Sequence, residues 1–180
     1  MTTLAETFSS HWTVRSARDA YLAENGFTLE GYDDKWTGAS FFGVALKVPN
    51  TKRHRWGIML HDLHHVATGY GTDLVGEGEI SAWELRGIGK LGLYVGGIVA
   101  AGTLAGALLA PRRAIAAWRA GRAARSLFEL MPPTDDHEAY ERLLDLTVGE
   151  LRARLGIPPE GLAQAPRKLH DFAPKPANVR

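Results

Sequence analysis

The chain has 180 residues and carries 21 lysines and arginines against 20 aspartates and glutamates, a formal net charge of +1. So small an imbalance argues against nucleic acid as a partner, because phosphate binding draws on a basic field. There is no cysteine. That excludes disulfides and thiolate metal sites and leaves His, Asp and Glu as the available ligands. One domain is the expectation at this length, with enough chain to bury a core.

Residues 1–10 lack the basic start and apolar run of a secretory leader. Arg15, Arg18 and the nearby serines would suit an organelle-targeting segment, but Glu6, Asp19 and Glu24 argue against it. Residues 13–25 predict a helix stopped by Gly26. Residues 27–49, rich in glycine and aromatics, read as irregular. Residues 51–69 predict a second helix, with Thr51 as N-cap and Gly69 as the stop.

Inside that helix lies His61-Asp62-Leu63-His64-His65. His61 and His65 are four apart and share a side. Asp62 flanks that face, Ile58 and His54 continue it, and His64 points away. The turn Gly69-Tyr70-Gly71 follows, and Thr72 or Asp73 can cap a third helix. On it Glu77, Ser81 and Glu84 share a face at helical spacing. Helices joined by a short glycine-containing turn pack as neighbours. His61, Asp62 and His65 can then meet Glu77 and supply up to four metal ligands, with bonds of about 2.0–2.2 Å for zinc. Nitrogen and oxygen donors favour zinc, with magnesium, manganese or iron as alternatives. Glu84 is the candidate catalytic acid or base, against the reading of a plain surface carboxylate. A metal-free polar network between two packed helices is the competing reading of the whole cluster.

Residues 91–110 contain no charge and include Gly92, Gly96, Gly97, Gly102 and Gly106. Three readings stay open: a buried helix, a lipid-lined wall that docks on a membrane, or a membrane span. The Gly92/Gly96 and Gly102/Gly106 spacings permit close helix packing. Pro111 interrupts the run. Residues 112–130 predict a basic helix ended by Pro132-Pro133. Its Arg112, Arg113, Arg119, Arg122 and Arg125 suit anionic headgroups or an ordinary solvated face. Residues 136–155 predict an amphipathic helix with Tyr140, Leu143, Leu144, Val148 and Leu151 inward, stopped by Gly156 and Pro158. Five of the nine prolines fall from Pro158 onward, which reads as an extended arm. The expected architecture is all-α: a single-domain helical bundle over 1–157, with a two-helix metal motif and a long apolar helix, then a Pro-rich arm over 158–180.

The pattern His61-Asp62, two residues, His65, eleven residues, Glu77 resembles the signature of the coenzyme Q biosynthesis protein four family. Val66, Gly69, Thr72-Asp73, Gly76, Trp83 and Glu84 extend the likeness. So do Trp118, Gly121, Leu127, Glu150-Leu151-Arg152 and Leu155-Gly156-Ile157, which carry it over roughly residues 50–160. One departure is His54-Arg55-Trp56-Gly57, where the family has an Arg-Tyr-Arg-Glu-like run. The resemblance implies a metal-dependent enzyme of ubiquinone biosynthesis acting on a polyprenylated hydroxybenzoate. The implied reaction is oxidative decarboxylation, in which hydroxyl replaces the ring carboxylate. It further implies an all-helical protein peripheral on the membrane that holds its lipid substrate. That membrane is the inner membrane, cytoplasmic face, in a bacterium, or the inner mitochondrial membrane, matrix side, in a eukaryote. Other ubiquinone-biosynthesis proteins are implied partners, and a homo-oligomer is a further expectation. Two alternatives stand beside it: a non-catalytic lipid-binding scaffold of the same pathway, and a His-Asp-type metal phosphohydrolase closed by His54 and Asp145. The chain has no flavin or nucleotide fingerprint, so the oxidant would be dioxygen or another external source.

Overall fold

The computed structural model describes residues 4–5, 7–41, 44–87, 92–163 and 166–168. The chain is mostly helical, and its elements follow from local signals. Helix α1, Val14–Asn25, opens on Thr13, whose side chain accepts from the Ser16 N–H, and closes on Gly26 at φ 69°. Helix α2, Lys52–Thr68, opens on Thr51 and closes on Gly69 at φ 79°. Helix α3, Leu74–Glu84, is capped by Asp73, which accepts from the Gly76 N–H. These caps satisfy backbone donors that a helix start leaves orphaned.

The irregular segment expected over 27–49 is partly regular. A 3₁₀ turn occupies Glu30–Asp33, and strands β2, Trp36–Phe41, and β3, Val44–Pro49, pair antiparallel with Trp36 opposite Pro49. The glycine content of that segment masked the hairpin. A second small pair joins β1, Leu4–Ala5, to β4, Arg167–Lys168.

Helix α4, Gly92–Leu109, lies within the charge-free run but is not the long apolar helix expected there. Among the described residues no helix is long and apolar enough to cross a membrane. Helix α4 buries Val95, Val99 and Ala105 and exposes Leu93, Leu104, Leu108 and Leu109. Of its two small-residue pairs, Gly102/Gly106 is the one pressed against α3. A Cβ at Gly106 would fall 2.5 Å from the Cα of Gly78, and one at Gly102 would fall 2.4 Å from Ser81 Oγ. Ser81 therefore faces α4, off the face that Glu77 and Glu84 share.

The single basic helix expected over 112–130 is two: α5, Pro111–Ala123, and the one-turn α6, Leu127–Leu130. The single helix expected over 136–155 is likewise α7, His137–Leu144, and α8, Val148–Leu155. Both breaks have the same cause. Thr147 with Glu150 forms a capping box, and Glu129 accepts from the Ser126 N–H; each starts a new helix. The inward set Tyr140, Leu143, Leu144, Val148 and Leu151 is buried as the pattern requires.

Arg152 of α8 is 1% exposed and holds the end of α2. Its Nε donates to the Ala67 carbonyl at 2.8 Å, Nη2 to the Phe8 carbonyl at 3.0 Å, and Nη1 to Ser10 Oγ at 3.1 Å and the Pro159 carbonyl at 2.5 Å. The first stretch of the expected arm also reaches α2, since the Leu162 and Ala163 N–H groups donate to the Thr68 carbonyl. The rest of the arm beyond residue 168 lies outside the described residues.

Candidate metal centre

Helix α2 presents His61 and His65 one turn apart to the start of α3. Their Nε2 atoms stand 3.1 Å from each other. Glu77 Oε2 is 3.5 Å from His61 Nε2, and Glu77 Oε1 is 3.5 Å from His65 Nε2. Each of the three side chains offers one donor atom, and these atoms lie within 4.8 Å of one another, so the group can hold a metal ion. Two donors bonded at about 2.05 Å to a tetrahedral zinc lie about 3.3 Å apart. The two imidazole nitrogens, 3.1 Å apart, are close to that spacing, and Glu77 turns a different oxygen to each of them at 3.5 Å.

The outer partners prepare both imidazoles for a cation. His65 Nδ1 lies 3.1 Å from the Tyr70 carbonyl, which can only accept, so Nδ1 carries the proton and Nε2 presents its lone pair. His61 Nδ1 donates to Glu84, 2.8 Å from Oε1 and 3.0 Å from Oε2. This is the carboxylate-or-carbonyl to histidine to metal arrangement that fixes tautomer and raises ligand basicity. Tyr21 stacks on His65 at 5.4 Å and holds its ring plane. His65 is fully buried, while the side chains of His61 and Glu77 are 24% and 40% exposed. The centre therefore opens to solvent on the Glu77 side.

Glu84, the candidate acid or base, is not a surface carboxylate: its side chain is fully buried and hydrogen-bonded to His61 and His64. His64 is also fully buried and does not turn away from α3. The Leu127 N–H donates to His64 Nε2 at 2.8 Å, so His64 Nδ1 carries the proton and donates to Glu84 Oε1 at 2.6 Å. A chain of hydrogen bonds thus runs from the start of α6 through His64 and Glu84 to His61. Trp83 and Phe128 wedge His64 edge-on at 5.0 and 4.8 Å.

Asp62 is placed apart from the three-residue group. It is 5% exposed, and its Oδ2 accepts from the Tyr32 hydroxyl at 2.5 Å. Neither His54 nor Asp145 joins the group. His54 is buried on the first turn of α2, and Asp145 is a surface residue paired with Arg15 at 2.9 Å. Tyr32, the Tyr70 carbonyl and the Tyr21 ring are site elements that the motif does not announce. Tyr32 comes from a segment without periodicity, and a backbone carbonyl has no sequence signature.

The electrostatics match a cation site. Burial disfavours charge on His61, but Glu84 and Glu77 outweigh it and hold the imidazolium well above the ordinary histidine value. Burial alone would raise Glu77, yet His65 and His61 pull it well below the ordinary carboxylate range. Glu84, also opposed by burial, is brought to about 2 by His61 and His64. Burial pushes Asp62 up, against His61 and the Tyr32 hydrogen bond. In the metal-free chain a proton on His61 Nε2 takes the cation's place and bridges the two imidazoles. Binding a metal must expel that proton. Affinity is therefore expected to rise with pH for as long as His61 stays protonated, by up to about tenfold per unit, and to level off once His61 has lost its proton. Cobalt titrations at several pH values check the sign, and an affinity independent of pH contradicts it.

Fold and centre together define the class: a mostly helical chain with a two-histidine, one-carboxylate group able to hold a metal ion. No family model matches the sequence, and no curated protein or solved structure matches it.

Proposed function

We propose that the chain is a metal-dependent enzyme of ubiquinone biosynthesis that replaces the carboxylate of a polyprenylated hydroxybenzoate with hydroxyl. The observation that carries this reading is the convergence of His61, His65 and Glu77 on one point with one side open. Three protein ligands and a free position mark reactive metal sites, whereas structural sites are closed by four. Two imidazoles and one carboxylate suit zinc, and they are also the donor set of oxygen-activating iron. When bound, the metal supplies Lewis-acid polarisation of the substrate carboxylate or phenolate. The chain's own residues orient it: Glu84 and the Tyr70 carbonyl fix the two rings, and His64 holds Glu84.

The lipid side of the reading rests on α4 and α5. Leu93, Leu104, Leu108 and Leu109 on α4 and Ile115 and Trp118 on α5 are large apolar side chains left exposed. Residues 85–128 contain seven basic side chains and no acidic one. A surface that is both apolar and cationic fits peripheral docking on anionic lipid. Each surface arginine contributes about 1 kcal/mol to such binding. Replacing exposed Arg112 and Arg119 by glutamate is thus expected to weaken binding to vesicles containing anionic lipid by at least about tenfold. Cosedimentation reads this, and unchanged partition contradicts the docking face.

A scaffold that presents lipid without turnover shares the same face and needs no open metal position. The test is turnover: purified protein loaded with zinc, manganese or ferrous iron is given a prenylated 4-hydroxybenzoate under air, and the lipid products are resolved by mass spectrometry. A hydroxylated, decarboxylated product that disappears in His65→Ala and Glu77→Gln supports the enzyme. Absence of product with every metal, from a chain that still binds the lipid, favours the scaffold.

A further inference from the structure

His64 stands next to His65 on α2, and its side chain and that of Glu84 are both entirely buried. Bulk water reaches neither, so protein groups must satisfy both. The Leu127 N–H is one of the donors that the start of α6 leaves without a helical acceptor. It donates to His64 Nε2 at 2.8 Å. An N–H only donates, so this contact puts the imidazole proton on Nδ1, 2.6 Å from Glu84 Oε1. Glu84 in turn meets His61 Nδ1 with both oxygens, at 2.8 and 3.0 Å. Trp83 from α3 and Phe128 from α6 close on the His64 ring edge-on and hold its plane.

We propose that His64 is a positioning residue for the metal centre: its Nδ1–H fixes the Glu84 carboxylate so that both oxygens face His61, and the start of α6 anchors that bond. The inference rests on the reading of His61, His65 and Glu77 as metal ligands. The last torsion of a glutamate is soft, so a single donor leaves the carboxylate free to rotate. A second donor on Oε1 removes that freedom, and a bond from N–H to an ionised carboxylate is of the stronger, charge-assisted kind. An outer partner that orients a ligating imidazole is worth about 10–100-fold in metal affinity. Here the outer partner is itself oriented, from a backbone N–H 63 residues further along the chain than His64.

The two nitrogens of His64 can be replaced one at a time. In His64→Asn the amide nitrogen stands at the Nδ1 position, so Glu84 keeps its donor and the Leu127 N–H loses its acceptor. In His64→Gln the amide oxygen stands at the Nε2 position, so Leu127 keeps its acceptor and Glu84 loses its donor. Cobalt is titrated into the full chain and read by visible d–d absorption and chelator competition. Chemical denaturation of the metal-free chain reads stability alongside. His64→Gln is expected to bind cobalt about tenfold more weakly, the lower end of what an outer partner costs, with shifted d–d bands. His64→Asn is expected to keep the wild-type affinity and bands and to lose stability instead. Wild-type affinity and bands in His64→Gln overturn the inference while leaving the metal centre intact. So does a loss of affinity in both variants that follows their loss of stability, which makes His64 a packing residue only. Nitrogen NMR of the wild-type histidines tests the same point without a variant. It is expected to show His64 as the Nδ1–H tautomer with and without zinc, and the Nε2–H tautomer overturns the inference. A wild-type chain that takes up no cobalt overturns the metal centre and this inference together.

Discussion

Replacing His65 by alanine is expected to weaken zinc or cobalt binding by more than about a hundredfold, the upper end of what loss of an outer partner costs a metal site. His65 contributes one of only three donors and is the deepest of them, fully buried between the Tyr21 ring and His61. No neighbouring donor replaces it. His64 has both its nitrogens committed, to Leu127 and to Glu84. Glu77→Gln is the companion variant. Its side chain is 40% exposed and lies on the first turn of α3, so it removes a ligand charge with little disturbance of packing. Glu84→Gln acts one step further out and is expected to cost about 10–100-fold, because it leaves His61 bound but poorly oriented. Competition with a chelator ranks the three. Equal affinity in wild type and His65→Ala would place the metal elsewhere.

Arg152→Met is expected to destabilise the fold by about 3–5 kcal/mol, the range for leaving several buried polar groups without partners. Methionine keeps the apolar stem but none of the donors. The carbonyls of Phe8, Ala67 and Pro159 and the hydroxyl of Ser10 then lose a guanidinium that serves all four. Ala67 lies in the last turn of α2, where a cation also answers the negative end of the helix. That end carries His65, so the damage extends to the metal centre. Chemical denaturation measures the loss. A midpoint within experimental error of wild type contradicts the view of Arg152 as the clamp between α8, the chain start and α2.

The motif helices were legible because their signals are local. Thr51, Gly69 and Asp73 are strong cap residues, and the 61/65 pair is a property of helical pitch alone. Glu77 could be placed opposite them because a short turn leaves two helices no choice but to pack as neighbours. What stayed hidden was what distant partners decide. Asp62 flanks the histidine face, and its hydrogen bond to a tyrosine thirty residues earlier has no local signal. Glu84 shares a face with Glu77, yet its burial depends on the start of α6, which no period in α2 or α3 encodes. The broken helices were a different failure. Ser126 with Glu129 and Thr147 with Glu150 are written in the sequence, and in the second case the inward apolar set that runs on through the break conceals it.

The central claim is that one cation sits where His61, His65 and Glu77 converge. Anomalous diffraction from crystals grown with zinc tests it most directly. The account predicts a single strong peak bonded to Nε2 of both histidines and to the Glu77 carboxylate. A map with no peak there, or with the ion on other residues, would contradict it.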